Sequence, residues 1–262
     1  MKPVRPVLCA SLLALSFALA ACGPKDAAHP YSATEFGATA AAQKGSPLVV
    51  GGFNEARGGA ESLQDPAVAG LRAAISSGFK GSKFVFSGQL SAHFLARVNV
   101  VVLGVLASPT HGIAPLKHRE QVALKKFVQS GGSAILFTDN DSFDKKAPAQ
   151  NASLLAPFGL EAAGTLSGPQ TARFAGSPNP VQTGPFGTAE QLDTVAPGWF
   201  TKLGNFTTLA TFASNGEAAL AYLPAHGGSG TVVCFSDASL MLDANRSGDD
   251  LTAILNALAL AM

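Results

Sequence analysis

The chain has 262 residues, 47% of them apolar, and only 13% charged, about half the share usual for globular proteins. Its formal charge of +1 excludes a strongly basic nucleic-acid binder, so no nucleic-acid partner is expected. With 28 Gly, 16 Pro, 17 Phe and no blocks of like charge, it does not read as a disordered acidic chain either.

The chain opens as an address. Lys2 and Arg5 make a short positive region, and residues 7–21 are apolar or small without a charge. That run is too short for a spanning helix, which needs about 20 residues, and fits the core of a secretory signal. It ends Leu19-Ala20-Ala21-Cys22-Gly23-Pro24, which resembles the lipobox of bacterial lipoproteins. The resemblance implies cleavage before Cys22, lipid on Cys22, and a membrane partner reached through that lipid. Gly23 after the cysteine implies the outer membrane, facing the periplasm, rather than the inner. An ordinary secretory signal ending beside a cysteine is the alternative. Cleavage would remove both early cations and shift the formal charge from +1 to −1. Cys234 would remain as the one thiol without a role in anchoring, unable to form an internal disulfide. Residues 1–21 are thus a signal peptide, 22–46 an Ala-, Pro- and Ser-rich lipid-anchored tether, and 47–262 a single domain.

Within the domain, strand and helix alternate. Leu48–Val50 reads as a buried strand. Asp65-Pro66 opens a helix with an Asp cap and Pro at the first position, carrying Val68, Leu71 and Ile75 on one face and closing at Gly78. Lys83–Phe86 is a second strand, and Val98–Leu106 a third, nearly all Val and Leu, as a sheet covered on both faces requires. A helix over about Lys117–Ser130 and a strand over Ala134–Thr138 complete a right-handed βαβ unit. Residues 143–230 are less regular. Short β-like runs among Pro and Gly turns predict an antiparallel extension, with Gly227-Gly228-Ser229-Gly230 as a hairpin turn. Thr231–Phe235 returns to a buried strand and Asp250–Ala261 to an amphipathic helix. The fold class is α/β, a three-layer sandwich on a mostly parallel sheet with an irregular antiparallel β extension.

Ligands of open α/β sheets bind beyond the carboxyl ends of the strands. The candidate rim is Asn54, Glu55 and Arg57 after the first strand, His111 after the third, Asp139 and Asp141 after the fourth, and Ser236 and Asp237 after the last. Asp139, Asp141 and Asp237 are candidate ligands for a divalent cation, since oxygen ligands suit Mg²⁺ or Ca²⁺. Helix capping and turn formation are the competing roles for these residues. His118 and Glu120 read as first-turn residues of their helix, and Trp199-Phe200 as either a core pair or an exposed contact.

Five segments carry a resemblance: Phe53-Asn54-Glu55-Ala56-Arg57, the strand and loop before Glu120, Phe127–Gly132, Asn179–Gly187 and Val232–Asp237. Together they resemble the glutamine-amidotransferase-like α/β domains of the gliding-motility-type ABC-transport auxiliary group. The resemblance spans nearly all of 47–262 and implies a flavodoxin-like sandwich. Where that group often carries an Asp-Glu-x-His turn, this chain has Asn54, Glu55 and Arg57. A class I glutamine amidotransferase needs a Cys nucleophile at a strand-to-helix elbow. The corresponding stretch, Thr138–Ser142, has none. Gly-x-Ser-x-Gly, Walker A, His-Glu-x-x-His and Cys-x-x-Cys are also absent from the sequence. Three functions follow as expectations. The first is a non-catalytic envelope lipoprotein that binds a protein or glycan partner without a cofactor. The second is a hydrolase using metal and the rim carboxylates Glu55, Asp139, Asp141 and Asp237. The third, implied by the resemblance alone, is an accessory component of an ABC-type transport or gliding-motility system.

Overall fold

The computed structural model describes residues 47–262, apart from 59–60, 109–111 and 177–178. The expected signal, tether and Cys22, together with His111, therefore lie outside the described residues.

Eleven strands build one sheet among the described residues. They are β1 (Val49–Phe53), β2 (Lys83–Ser87), β3 (Val100–Leu103), β4 (Ser133–Phe137), β5 (Glu161–Ala163), β6 (Pro169–Phe174), β7 (Gln191–Val195), β8 (Trp199–Lys202), β9 (Thr207–Phe212), β10 (Ala218–Leu223) and β11 (Val232–Phe235). The parallel part runs β2-β1-β3-β4-β11. Numbered by parallel strand, that is 2-1-3-4-5, the flavodoxin-like order. Beyond β11 the sheet continues antiparallel through β10, β9, β6 and β7, with β8 pairing β10 and β5. The antiparallel extension read from 143–230 is thus an excursion between the fourth and fifth parallel strands. It returns to the sheet through residues 224–231, which carry the expected Gly-rich turn.

Among the described residues five α-helices cover the sheet: α1 (Ala69–Gly78), α2 (Ala92–Leu95), α3 (His118–Gln129), α4 (Ala147–Leu155) and α5 (Gly248–Ala259). Alternation along each central strand sorts the core into two layers. Val100, Val102, Ile135, Phe137, Val233 and Phe235 join the core that holds Leu71 and Ile75 of α1 and Leu251, Ile254 and Leu258 of α5. Val101, Leu103, Ala134, Leu136, Val232 and Cys234 face the opposite core, with Phe94 of α2, Leu124 and Val128 of α3, and Leu154 of α4. This is the three-layer sandwich.

Some boundaries differ from the sequence reading. The third strand ends at Leu103 rather than Leu106. At Gly104 the backbone passes so close to the Glu61 carbonyl that any Cβ would collide with it. From there the chain leaves the sheet, and the Leu106 amide is taken by Gln150 Oε1 at 2.8 Å. The last helix begins at Gly248, because Ser247 and Asp250 form a reciprocal capping box. Helix α4 is not evident from sequence periodicity, since it buries polar Gln150, Asn151 and Ser153 beside its leucines. Asp65 caps the 3₁₀ turn Pro66–Val68 that leads into α1, accepting from the Ala67 amide at 2.8 Å, while α1 itself starts at Ala69 without a side-chain cap. Trp199-Phe200 sits in the packing: Phe200 is buried, and the half-buried Trp199 ring fills the space a Cβ at Gly164 would need. No helix of the described residues is long and apolar enough to cross a membrane.

Candidate functional site

The rim at the carboxyl ends of the parallel strands divides into two parts. On one side Arg57 leaves the turn after β1 and crosses to the α2–α3 face. It donates to Glu120 Oε1 at 2.5 Å and to the Pro115 carbonyl at 3.0 Å, and its guanidinium lies 5.0 Å from the Phe53 ring centroid. Glu120 also accepts from the amides of Leu90 and Lys117. Burial alone would raise the Glu120 pKa, but the Arg57 hydrogen bond and these amides bring it below the usual carboxylate range. The pair welds the β1 turn to the first turn of α3. Arg57 is therefore a structural residue and not part of an open rim.

Other expected rim residues are also committed elsewhere. Glu55 is exposed, and its amide is held by Gln64 Oε1. Asn54 anchors to the Ser87 carbonyl through its backbone, and its buried Oδ1 lacks a partner among the described residues. Asp141 turns to the Gly164 amide, at 2.6 Å from Oδ2. Ser236 is buried, one residue beyond β11. By alternation it belongs to the Cys234 side of the sheet, away from its neighbour Asp237.

Asp139 and Asp237, in contrast, come together. Phe137 and Phe235 are register partners on β4 and β11, with rings stacked 4.8 Å apart. Two residues further along each strand, the alternation puts the two carboxyls on that same face, about one strand spacing apart. Asp139 Oδ1 accepts from the Asn140 amide and side chain, while Asn151 fixes the Asp139 backbone from both sides. Asp237 caps the short 3₁₀ turn Ala238–Met241 through the Ser239 amide, and accepts from the Val195 amide at 2.6 Å.

Sequence reasoning missed a third carboxyl, Glu61. It follows the β1 loop and has φ +67, a left-handed conformation unusual for a residue with a side chain. Its Oε2 is buried without a hydrogen-bond partner among the described residues. Nothing in the run Glu61-Ser62-Leu63 marks it. Only the place of a lone carboxylate just after a Gly-Gly-Ala run in the sequence could have drawn attention to it.

The three carboxyls hold their protons unusually tightly. Burial, with added repulsion from Asp139, Asp237 and Asp65, raises Glu61 to about 8. Burial and then the Asp237 charge raise Asp139 to about 7, against the Asn140 hydrogen bonds. Burial raises Asp237 to about 6, against the bonds that Ser239 and Val195 offer it. Buried, mutually repelling carboxyls cannot all ionise together, so they titrate as a set. Near neutral pH the set holds both a protonated acid and an ionised base, the combination acid–base chemistry requires. Among the described residues no three His, Cys, Asp or Glu side chains are grouped to hold a metal ion. The cation set Asp139, Asp141 and Asp237 is not assembled, because Asp141 is drawn to Gly164.

Cys234 is fully buried within β11, and burial pushes its thiol far above the usual range. It cannot act as a nucleophile in the folded chain.

No family model matches this chain, and no curated protein matches it. Solved structures do. The mmIFT52 N-terminal domain superposes with a TM-score of 0.58 at 12% identity, covering 80% of this chain and 94% of that one. A glutamine amidotransferase from Thermotoga maritima gives 0.50 at 13% identity, covering 82% and 97%. A ThuA-like protein from Parabacteroides merdae gives 0.48 at 15% identity, covering 83% and 91%. At such identities the likeness is one of fold. The chain is a mixed α/β protein with a glutamine-amidotransferase-like fold.

Proposed function

We propose that this protein is a lipoprotein of the cell envelope, anchored through Cys22 and placed at the outer membrane facing the periplasm, whose amidotransferase-like domain binds a partner rather than performing amidotransfer. One observation carries the reading. The stretch after β4 that would hold the nucleophile, Thr138–Ser142, contains no cysteine, and Asp139, Asn140, Asp141 and Ser142 each make internal side-chain hydrogen bonds. The lipobox-like Leu19-Ala20-Ala21-Cys22 supports the anchor, and lipid chains gain about 0.8 kcal/mol per buried methylene. The partner is an envelope protein or glycan. The accessory role in an ABC-type transport or gliding-motility system is a narrower form of the same proposal, supported by the sequence resemblance.

Metabolic labelling of the full chain with an alkyne-bearing palmitate, in a bacterium that processes lipoproteins, tests the anchor. Label should enter the wild type and be absent from Cys22→Ala. Label retained in Cys22→Ala would overturn it. Ammonia released from glutamine by the purified chain would overturn the non-catalytic reading.

A second reading is favoured by Glu61, Asp139 and Asp237: hydrolysis in which one carboxyl donates a proton and another activates water. A divalent cation could join Asp139 and Asp237 only with ligands from substrate or solvent. Melting the chain with and without Mg²⁺ or Ca²⁺, in wild type and Asp139→Asn, tests that form. A metal-induced rise that the variant loses supports it, and no rise counts against it.

A further inference from the structure

A hollow lies away from the carboxyl rim. It is a groove of about 830 Å³ between α2 and α3, reaching the amino-terminal end of the sheet. That volume lies in the usual range of small-molecule sites, about 300–1,000 Å³. One wall is a stripe of α3: Arg119, Val122, Ala123, Lys126 and Phe127. These positions repeat at 3 and 4 residue intervals and so share one side of the helix. The residues that α3 buries, Glu120, Leu124 and Val128, lie beside that stripe and face the core. The other wall is Ala92, Leu95 and Ala96 of α2 and its cap, above a floor that includes Val98. Val122 is 38% exposed, one of three large apolar side chains so exposed among the described residues. An apolar stripe on a helix normally meets a neighbouring element. Here the small residues of α2 keep the facing wall back and leave a channel.

The charges are one-sided. Arg119 and Lys126 both line the groove, about 10 Å apart along α3 at 1.5 Å per residue. Neither is in an ion pair among the described residues. Arg119 is steadied by Gln89 Oε1 at 3.3 Å. The one carboxylate in the lining, Glu120, is consumed by Arg57 and two amides. The groove thus presents apolar walls and two free cations with no free anion to match them.

We propose that this groove binds a single acyl chain with an anionic head, with the chain lying along Val122, Ala123, Phe127 and Leu95 and the head held by Arg119 and Lys126. The proposal goes beyond the protein or glycan partner of that reading, and rests on it only in that the ligand is held and not transformed. It does not depend on lipidation at Cys22.

The test uses the full chain in amphipol and a palmitic acid analogue carrying a diazirine and an alkyne. After illumination, the labelled peptides are mapped by mass spectrometry. Label should concentrate within residues 89–132 and be competed by palmitate, with hexadecanol competing about tenfold less well, since it lacks the charge. The double variant Arg119→Glu/Lys126→Glu should lose labelling by about tenfold or more, and Ala123→Trp should lose it by filling the channel. The charge variant changes exposed side chains only, so it remains informative if Ala123→Trp misfolds. Label scattered over the surface, or undiminished in the charge variant, would overturn the site. Equal competition by hexadecanol would overturn the anionic head. Failure of the Cys22 labelling would leave this result untouched, so the two proposals fail separately.

Discussion

Asp139 and Asp237 each follow by two residues a stacked register pair, Phe137 and Phe235, at the ends of adjacent parallel strands, and the Asp237 charge raises the proton affinity of Asp139. Sheet geometry thus brings two like charges under each other's influence. Glu61 closes the group from the β1 loop.

The first prediction concerns pH. Glu61, Asp139 and Asp237 all have folded pKa values above those of an unfolded chain. The folded state therefore binds more protons across pH 4–8, and stability falls as pH rises through that window. Each group ionising against its raised pKa costs about 1.4 kcal/mol per unit, and coupling keeps the three from adding. Melting temperature should be several degrees higher at pH 5 than at pH 8. Asp139→Asn and Glu61→Gln should each flatten the profile. An unchanged profile in both variants would show that the carboxyls are not linked to folding.

Gly104→Ala should destabilise the domain by about 1–3 kcal/mol, because the new Cβ meets the Glu61 backbone carbonyl, which cannot swing aside as the Met241 side chain beside it can. Urea unfolding should show a lower midpoint with an unchanged slope. Displacing Glu61 should also weaken the pH dependence, which a purely local clash would leave alone.

Breaking the Arg57–Glu120 pair from one side should cost about 3–5 kcal/mol, since the surviving charge is left buried. Arg57→Met with Glu120→Gln, which keeps an acceptor for the Leu90 amide, should be closer to wild type than Arg57→Met alone. A double-mutant cycle by chemical denaturation measures the coupling, and purely additive costs would show the pair to be independent.

Cys234 should resist thiol reagents in the native chain. It should become modified only as the domain unfolds, because β11 is sealed between β4 and β10. Quantifying the Cys234 peptide by mass spectrometry at rising urea should give a curve that overlays the global unfolding curve. Labelling in buffer alone would reveal local opening of the central sheet.

The parallel core was legible in the sequence because its signals are local. Val100–Leu103 and Val232–Phe235 are runs that only a doubly covered strand tolerates, and Asp65-Pro66 announces its helix chemically. Helix α4 escaped because Gln150 and Asn151 are buried to serve distant backbone groups at Leu106 and Asp139, so no apolar period forms. At the rim, Asp139 and Asp237 could be found as strand-end carboxylates. Whether Asp141 and Arg57 joined them depended on partners 23 and 63 residues away. Glu61 depended on a left-handed backbone that its residue type does not favour.

The place of β11 in the sheet bears on how the chain is made. β4 finds its second parallel partner only after the whole excursion through β5–β10 has intervened, as the pairing of Phe137 with Phe235 records. During synthesis the edge of β4 must wait open, and a nascent chain halted before residue 232 would offer that apolar edge to any passing strand. Completion of the domain is then a late event governed by a long loop closure, which slows folding far more than it weakens the finished fold. Under the proposed envelope location, a sheet that cannot close early also remains threadable.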